Sequence, residues 1–428
     1  MSLPGFTPPP NFENVASQIE GITVFAPRPE TPPQPERVEF KCPNCGAATR
    51  FDVSAGGVAC EHCSYQAQTA SQVIGLQAKT SEFTLEALSR FAQGWGTQRR
   101  VMHCNSCGGD ISMPEGALSI TCPFCASNEV NLRSDTTSST RPGFLIPFKI
   151  QPQENASRLR AWLSKGWFHP ENLTSLASTD QFVGIYLPFW TFDAQIQANW
   201  KAEVGYERQV RYYDHGSKGW RTRTEIDWVW KTGQVHLDIN SLLITGTSHI
   251  SHRIAEKILP FDLDQLVAYA PDYLAGWQAL AYDIDLPTAW ERGKAMMREK
   301  AKTSCYHSID SPHVRNFSMN ADFSNESWRY ILLPIYLSTY RYEGKTFQVM
   351  VNGQNGVIAG QKPVAWWKIW TAIAAMFAPG ILLGLIGLLL LIFGGIGIIP
   401  LGIALVLVFA ALFFSIWLYQ KALDSEAA

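Results

Sequence analysis

The chain has 428 residues, a formal net charge of −2, and a composition that is 46% hydrophobic and 17% charged. This length excludes a single small domain and predicts two or three folded units. The balanced charge does not by itself identify a class of partner. The hydrophobic residues are concentrated near the carboxyl end, from Trp366 to Tyr419, where Lys368 is the one charged residue. The composition therefore predicts a membrane-associated segment and a larger polar part.

Residues 1–35 hold nine prolines, including Pro8-Pro9-Pro10 and Pro32-Pro33, and few residues that can form a core. This composition predicts a disordered tail, with a polyproline II segment that docks in an aromatic groove as the alternative. Residues 1–12 carry no basic residue and no apolar run of signal-peptide length. We therefore expect the polypeptide to stay in the cytosol, where thiols are reduced.

Two copies of one cysteine spacing occupy residues 36–133. In each copy, two Cys-x-x-Cys pairs are separated by 14 residues; the cysteines are Cys42, Cys45, Cys60, Cys63, Cys104, Cys107, Cys122 and Cys125. A two-residue gap lets both thiolates of a pair reach one metal ion, and the longer gap accommodates a hairpin. Disulfides or redox pairs are the alternative, which a cytosolic location disfavours. The spacing predicts tandem zinc ribbons.

Each cysteine quartet already supplies the four ligands that a tetrahedral zinc ion takes. A catalytic zinc usually keeps a position open for water beside three protein ligands. His62 and His103 each neighbour a ligand cysteine and are alternative ligands, with solvent-facing ribbon histidines as the expected state. The sequence therefore predicts two structural zinc ions, which replace the hydrophobic core that such short segments lack.

The charge balance of the ribbon region bears on its partner. Residues 36–133 contain eight Lys or Arg and nine Asp or Glu, and Arg99-Arg100 is the one basic pair. Binding of nucleic acid requires a clustered positive surface. The composition favours a protein partner, and nucleic acid remains the alternative.

Between the two ribbons, Ser81 is in a position to cap a short helix, in which Phe83, Leu85, Leu88 and Phe91 would share one face. We expect this helix to pack the ribbons together. Residues 134–142 are rich in Ser and Thr and are interpreted as a linker.

Residues 143–363 are predicted to form an α+β domain. Alternating apolar and polar residues at 192–200 predict a half-buried strand. Helices are expected at residues 154–165 and 288–302. A hairpin is expected where residues 340–342 and 347–351 flank a short turn, and Asn352-Gly353-Gln354-Asn355-Gly356 predicts a second turn.

Residues 364–421 predict a two-helix transmembrane hairpin, with spans at about 369–393 and 398–419. Each span is long enough to cross about 30 Å of hydrocarbon. Gly394, Gly395, Gly397 and Pro400 mark the reversal. A helical pair buried in a soluble core is the alternative, and it would require protein to cover the entire apolar tract.

Charges and aromatic residues flank these spans at one end. Lys362 and Lys368 lie at the entry and Lys421 at the exit, whereas the intervening loop is uncharged. Tryptophans at the entry, together with Trp417, suit one membrane interface. We therefore expect a multi-pass protein of the cytoplasmic (inner) membrane with both termini in the cytosol.

From Cys42 to Trp370 the chain resembles bacterial membrane-anchored double zinc-ribbon proteins, some of which are called TFIIB-type zinc-ribbon proteins or primosomal protein N′. Besides the cysteines, the resemblance is carried by Leu187-Pro188-Phe189-Trp190-Thr191-Phe192-Asp193-Ala194, Pro260-Phe261-Asp262-Leu263, Leu274-Ala275-Gly276-Trp277, Tyr340-Arg341-Tyr342-Glu343-Gly344-Lys345 and Val351-Asn352-Gly353-Gln354-Asn355-Gly356. It implies an accessory membrane protein linked with phage-shock or flotillin-like membrane-stress partners.

No motif in the sequence predicts an enzyme. A helicase motor requires a glycine-rich phosphate loop that ends in Gly-Lys-Ser/Thr. Gly344-Lys345-Thr346 has this ending, but Thr339 occupies the position at which the loop requires an earlier glycine. Cys305 has no nucleophile motif around it, and His249 and His252 are expected to be ordinary polar histidines.

The leading hypothesis is a membrane-tethered adaptor or scaffold whose zinc ribbons present surfaces to cytosolic or membrane-associated proteins, with oligomerisation open. The alternative is a nucleic-acid-binding membrane protein that uses the paired ribbons without a helicase motor. An enzyme or transporter component based on the central domain is the third hypothesis.

Overall fold

A computed structural model describes residues 12–15, 24–27, 41–69, 73–78, 80–82, 100–113, 122, 124–125, 127, 130–133, 141–176, 182–216, 219–250, 252–394 and 397–427. The described part has cysteine-rich β segments near its amino end, a large central sheet, and two apolar helices near the carboxyl end. This arrangement confirms the multidomain organisation expected from the sequence.

The described part of the amino-terminal half contains short strands. They are β1 (Phe12–Val15), β2 (Val24–Pro27), β3 (Arg50–Asp52), β4 (Gly57–Ala59), β5 (Gln66–Gln68), β6 (Ser81–Glu82), β7 (Arg100–Cys104), β8 (Asp110–Met113) and β9 (Val130–Arg133). Strands β1 and β2 pair antiparallel inside the segment predicted to be a disordered tail. Ser81 begins a strand rather than capping a helix, and residues 83–99, where the rest of that predicted helix falls, lie outside the described residues.

The central domain is richer in strand than its sequence predicts. Its strands are β10 (Phe144–Leu145), β11 (Val183–Asp214), β12 (Gly219–Thr245), β13 (Val267–Ala268), β14 (Gln278–Leu280), β15 (His313–Tyr342), β16 (Lys345–Asn352) and β17 (Ile358–Gly360). The predicted hairpin corresponds to β15 and β16, and the predicted turn lies between β16 and β17. The predicted strand at residues 192–200 is the middle of a strand 32 residues long.

The helix expected at residues 154–165 ends two residues earlier, the helix expected at residues 288–302 is longer at both ends, and a helix that was not predicted occupies His252–Ile258. The helices are α1 (Glu154–Leu163), α2 (His252–Ile258), α3 (Leu286–His307), α4 (Trp366–Gly394) and α5 (Ile398–Ala427), with 3-10 turns at Gly75–Gln77, Glu171–Leu176, Leu263–Gln265 and Pro271–Leu274. Helix α3 begins where the Asp285 carboxylate accepts a hydrogen bond from the backbone N–H of Thr288 at 3.1 Å, with a proline in its first turn. This arrangement is a side-chain N-cap.

Strands β11, β12 and β15 form a long antiparallel ribbon. Strand β11 pairs with β12 from Phe189 to Asp214 and with β15 from Val183 to Gly205. At about 3.3 Å per residue, a strand of 32 residues is about 100 Å long. We call residues 194–216, 219–239 and 313–323 the arm. Residues 206–216 of β11 and its following turn, together with residues 219–227 of β12, lie past the start of β15, and we call these two segments the arm tip.

Helix α3 covers one face of the arm. The buried positions of α3 include Ala289, Gly293, Met297, Ala301 and Cys305, a spacing of four that forms one stripe. A side chain at Gly293 would place its Cβ 3.1 Å from the Phe192 ring, so this position requires a small residue. Because the helix ends near the start of β15, the arm tip has no helix against it among the described residues.

The largest core lies where the base of the arm meets the central sheet. Aromatic side chains dominate it: Phe148, Tyr186, Trp190, Phe192, Tyr273, Trp328, Tyr330 and Tyr336. Trp190 contacts Tyr330 with ring centroids 4.9 Å apart and donates its indole N–H to the Ile284 carbonyl at 2.9 Å. Burial of several large rings is the main hydrophobic contribution to stability here.

Candidate metal centres and their surroundings

The first cysteine quartet lies beside the small sheet formed by β3, β4 and β5. The Cys42 and Cys63 sulfurs are 3.3 Å apart, and those of Cys45 and Cys60 are 3.6 Å apart. The first Cys-x-x-Cys turn is closed by the Gly46 N–H, which donates to the Cys42 carbonyl at 2.8 Å. Gly46 has φ of 73°, a conformation that glycine adopts without strain.

The second quartet repeats this local geometry. The Cys104 and Cys125 sulfurs are 3.6 Å apart, and those of Cys107 and Cys122 are 3.7 Å apart. Gly108, at φ of 74°, donates its N–H to the Cys104 carbonyl at 2.8 Å, as Gly46 does in the first quartet. The repeated cysteine spacing therefore corresponds to a repeated turn.

The sulfur positions suit a tetrahedral metal ion. In each quartet all four sulfurs lie within 4.8 Å of one another. A tetrahedron with metal–sulfur bonds of about 2.3 Å has edges of about 3.8 Å. In the described part of the chain, these two quartets are the groups of three or more His, Cys, Asp or Glu that are close enough to hold one ion. The predicted ligand residues thus converge as two four-cysteine sites.

The thiols of the first quartet alter one another's pKa. Burial raises the pKa of Cys42, but N–H donors at Asn44 and Cys45 outweigh burial and bring that pKa to about 7. The hydrogen bond with Cys42 raises the pKa of Cys63 to about 12. One thiol therefore loses its proton easily, and the resulting thiolate disfavours ionisation of the thiol hydrogen-bonded to it. A divalent ion removes this conflict because it stabilises all four thiolates together.

The first ribbon is fixed to the central domain through Phe51. This side chain is 4% exposed, and its ring centroid lies 5.0 Å from that of Tyr273. The backbone N–H of Phe51 donates to the Ala275 carbonyl at 2.9 Å, and Gln151 donates to the Ser54 hydroxyl at 2.8 Å. These contacts attach the ribbon by both apolar packing and hydrogen bonds.

The second ribbon is part of the central sheet. Strand β8 pairs with β14, which in turn pairs with β11 at the base of the arm. Phe124, two residues after the ligand Cys122, is 2% exposed, and its carbonyl accepts a hydrogen bond from Gln348. This continuity was not expected from the sequence. The sequence signal that could have predicted it is the short alternation of polar and apolar residues around Ile111. The Ile111 side chain is fully buried.

The other candidate residues from the sequence lie apart from the cysteine quartets. Cys305 is fully buried, its sulfur lies 3.7 Å from that of Met319, and burial raises the pKa of its thiol. His249 Nε2 lies 3.4 Å from an Asp283 carboxylate oxygen. Neither residue belongs to a metal-ligating group in the described chain.

Helices α4 and α5 are long and apolar enough to cross a membrane. The candidate spans are Trp366–Ile392 and Ile398–Glu426, and only 11% and 17% of their most apolar stretches are buried within the chain. The two helices pack closely at small residues: a Cβ at Gly387 would lie 3.0 Å from the Leu401 backbone nitrogen. The protein itself therefore leaves most of the apolar surface of both helices uncovered.

A contact region that we call the clamp joins the central domain to these helices. Phe168, Val364, Ile369, Leu418 and Ala422 form its buried apolar cluster. The backbone N–H of Lys362 donates to the Ser425 carbonyl at 3.0 Å, and Lys368 Nζ lies 3.1 Å from a Glu171 carboxylate oxygen. The clamp thus contacts the start of α4 and the end of α5 at once.

Acidification is expected to weaken the clamp through His169. This residue is 6% exposed, and its Nδ1 lies 2.9 Å from the Pro363 carbonyl oxygen. Burial lowers its pKa, and the charges of Lys362 and Lys368 lower it further. Because the folded pKa lies below the unfolded value, the stability contribution is present above about pH 6.5 and is lost as pH falls below it.

The measurement is the thermal unfolding temperature of the full chain in detergent between pH 5 and pH 7.5. His169→Asn is the control, since its amide keeps a donor for Pro363 and does not titrate. The unfolding temperature of the wild type should fall more steeply below pH 6.5 than that of the variant. Parallel curves would contradict the assignment.

Among known proteins, the chain is similar to the uncharacterized protein YdjG of Bacillus subtilis (strain 168). The two are 25% identical over 335 residues, which cover 78% of this chain and 92% of the relative. No known protein-family profile and no solved structure matches the chain. The similarity covers most of both proteins and does not assign an activity.

Proposed function

We propose that the chain is a membrane-tethered adaptor that holds two structural zinc ions and binds cytosolic or membrane-associated proteins. The observation that carries this proposal is the clamp, which fixes the central domain to two apolar helices. Through Phe51 and β8 the same domain also holds both cysteine sites. A scaffold requires this kind of fixed connection between its anchor and its binding surfaces.

Zinc is the ion that the ligand chemistry favours. Four thiolates in a tetrahedron suit zinc. They fill all four coordination positions of the ion, so none is left for a reacting water. A structural role also agrees with the positions of the sites, since each is attached to the central domain through neighbouring backbone. The ions would hold ribbon geometry rather than perform chemistry.

The proposed location is the cytoplasmic face of the inner membrane, with α4 and α5 as a multi-pass hairpin and both termini in the cytosol. Support comes from the lysines near the start of α4 and near the end of α5. It also comes from the apolar surface of both helices, most of which the rest of the chain leaves uncovered. The resemblance to membrane-anchored ribbon proteins suggests a partner from a phage-shock or flotillin-like membrane-stress system.

The location is tested by protease treatment of intact cells and of inverted membrane vesicles, with the full chain tagged at each terminus. Both tags should survive treatment of intact cells and should be removed from inverted vesicles. Loss of either tag from intact cells would contradict the proposed orientation, and recovery of the chain in the soluble fraction would contradict the anchor.

The adaptor role is tested by crosslinking in cells, followed by affinity capture from detergent-solubilised membranes. We compare the wild type with Cys42→Ser and Cys104→Ser, and we use Cys305→Ala as a matched cysteine control outside both sites. A specific partner should be recovered with the wild type and the control and lost with at least one ligand variant. Equal recovery with all four proteins would show that the ribbons do not contribute.

Nucleic acid is tested with the same preparations. Several basic side chains of the arm tip are in ion pairs with acidic neighbours, for example Arg208 with Asp227 at 3.1 Å and Arg221 with Asp214 at 3.2 Å. Such a surface lacks the clustered positive charge that nucleic acid requires. Binding that weakens steeply with added salt would favour nucleic acid over protein as the partner.

A further inference from the structure

Strand β12 has one open edge along the arm. Its other edge pairs with β11 from Phe189↔Thr245 to Asp214↔Gly219, and no other described strand pairs with it. An open edge presents a row of backbone donors and acceptors to any strand that can align with it. In the arm tip this edge is also free of helix α3, which ends at His307.

The residues at this edge are self-complementary about Thr224. Two arginines precede it, Arg221 and Arg223, and two acids follow it at the mirrored positions, Glu225 and Asp227. All four alternate along the strand and therefore lie on one face. In an antiparallel pair of two copies with the Thr224 residues opposite each other, every arginine would face a carboxylate of the second copy.

The opposite face is complementary in the same register. Trp220 would lie opposite Trp228 of the second copy, and Thr222 opposite Ile226. Trp220 is 65% exposed and Ile226 is 37% exposed, so these side chains are available for contact. Aromatic and β-branched residues are the favoured cross-strand neighbours in antiparallel sheets.

The ion pairs already present leave these groups able to contact a second copy. Within one chain, Arg221 pairs with Asp214 at 3.2 Å and Arg223 donates a hydrogen bond to Glu225 at 2.7 Å, so in the dimer each of these arginines would lie between a carboxylate of its own chain and one of the second copy. Arg208 lies 3.1 Å from Asp227 and 3.8 Å from Glu225, and it belongs to β11 on the other side of β12. In a four-stranded arm, Glu225 would have Arg208 on one side and Arg223 of the second copy on the other. The charges would then alternate across the sheet.

We propose that two copies of the chain associate through the β12 edges of their arm tips, antiparallel and centred on Thr224. The interface is isologous, so each favourable pair occurs twice. Thr224 lies 21 residues from the end of β12 at Thr245, about 70 Å at 3.3 Å per residue. The dimer would therefore hold two central domains at opposite ends of an overlapped pair of arms. This proposal does not depend on the partner proteins proposed above.

The first test is a charge-swap mixing experiment with the full chain in detergent, in which energy transfer between donor- and acceptor-tagged copies reports association. Arg223→Glu places the new glutamate opposite Glu225, and Glu225→Arg places the new arginine opposite Arg223. Each variant alone should associate roughly tenfold or more weakly than the wild type, because like charges face each other at two positions.

Mixing the two variants should restore association to near the wild-type level, because every arginine then faces a carboxylate of the other copy. Changes within one chain do not produce this rescue, so a folding defect is distinguished from a lost contact. Failure of the mixture to associate, or wild-type association of each variant alone, would overturn the proposal.

The second test fixes the register and separates the arm from the apolar helices, which are another route to dimers. A photo-crosslinking amino acid at Thr222 should give products that map to residues near Ile226 of the second copy. The same probe at His236, on the same strand but outside the overlap, should give no product between copies. Crosslinks between copies from residue 222 to a region other than the segment around Ile226 would overturn the proposed register, whereas crosslinks to Arg211 are expected within one chain because β11 pairs with β12 there.

Discussion

Cys104→Ser is expected to lower the metal content from about two ions to about one ion per chain and to unfold the second ribbon. Structural zinc contributes roughly 10–16 kcal/mol of apparent binding free energy in small metal-dependent modules. Whole domains are stable by only about 5–15 kcal/mol. The ribbon therefore cannot keep its structure once the tetrahedral set is broken, and the damage should reach β14 through its pairing with β8.

Metal content by elemental analysis, together with hydrogen exchange, checks this prediction. Exchange should rise in residues 100–113 and in β14 of Cys104→Ser, and in residues 41–69 of Cys42→Ser. Cys305→Ala is the matched control and should keep about two ions, because its sulfur lies in the core beside Met319 rather than in a quartet. A full metal complement in Cys104→Ser would contradict the site.

The sequence was sufficient to predict the metal sites because their chemistry is local. A two-residue gap within each cysteine pair and a hairpin-length separation between the pairs specify each quartet without knowledge of the rest of the fold. The apolar helices were predictable for a similar reason, since length and absence of charge identify them. The packing of the ribbons against the central domain depends on distant contacts, such as Phe51 with Tyr273, which no local pattern encodes.

The arm was predictable in part. Alternation at residues 192–200 correctly predicted a half-buried strand, but the same strand runs through Pro188, opposite Leu332, at the base of the sheet. Both faces are covered there, so the alternation disappears. Past Gly205 neither β15 nor α3 covers the strand, and its pattern becomes polar and aromatic. One strand thus passes through three environments, and each gives a different sequence pattern.

Ser81 illustrates how a tertiary contact can replace a local preference. Serine before an apolar periodic segment favours a helix N-cap. In the structure, residues 81–82 instead pair with Ser327 and Trp328 of β15. The nearby carbonyl of Ala78 accepts a hydrogen bond from Arg329 at 3.0 Å. Ala78, Ser81 and Glu82 are therefore held against the base of the arm by contacts with a strand about 250 positions later in the chain.

Arg329 also forms the most buried ion pair among those described, with Asp193, where β11 shifts register against both neighbours. The two side chains are 6% and 19% exposed, and the charged atoms are 3.1 Å apart. Asp193 further accepts a hydrogen bond from the Ser241 N–H at 2.6 Å. The pair therefore joins all three strands of the arm at its base.

Arg329→Leu is expected to destabilise the central domain by about 3–5 kcal/mol, because it leaves the Asp193 carboxylate buried without a cation. Chemical unfolding of the full chain in detergent, followed by tryptophan fluorescence, measures the change. The double variant Arg329→Leu/Asp193→Leu should recover much of the lost stability, since removing both charges leaves no unpaired charge.

Arg253→Leu is the matched control. Arg253 pairs with Asp424 at 3.6 Å and both side chains are largely exposed, so the loss of this pair should cost less than about 1 kcal/mol. A similar small effect for Arg329→Leu would mean that water reaches Asp193 and that the arm is held at its base by apolar packing alone.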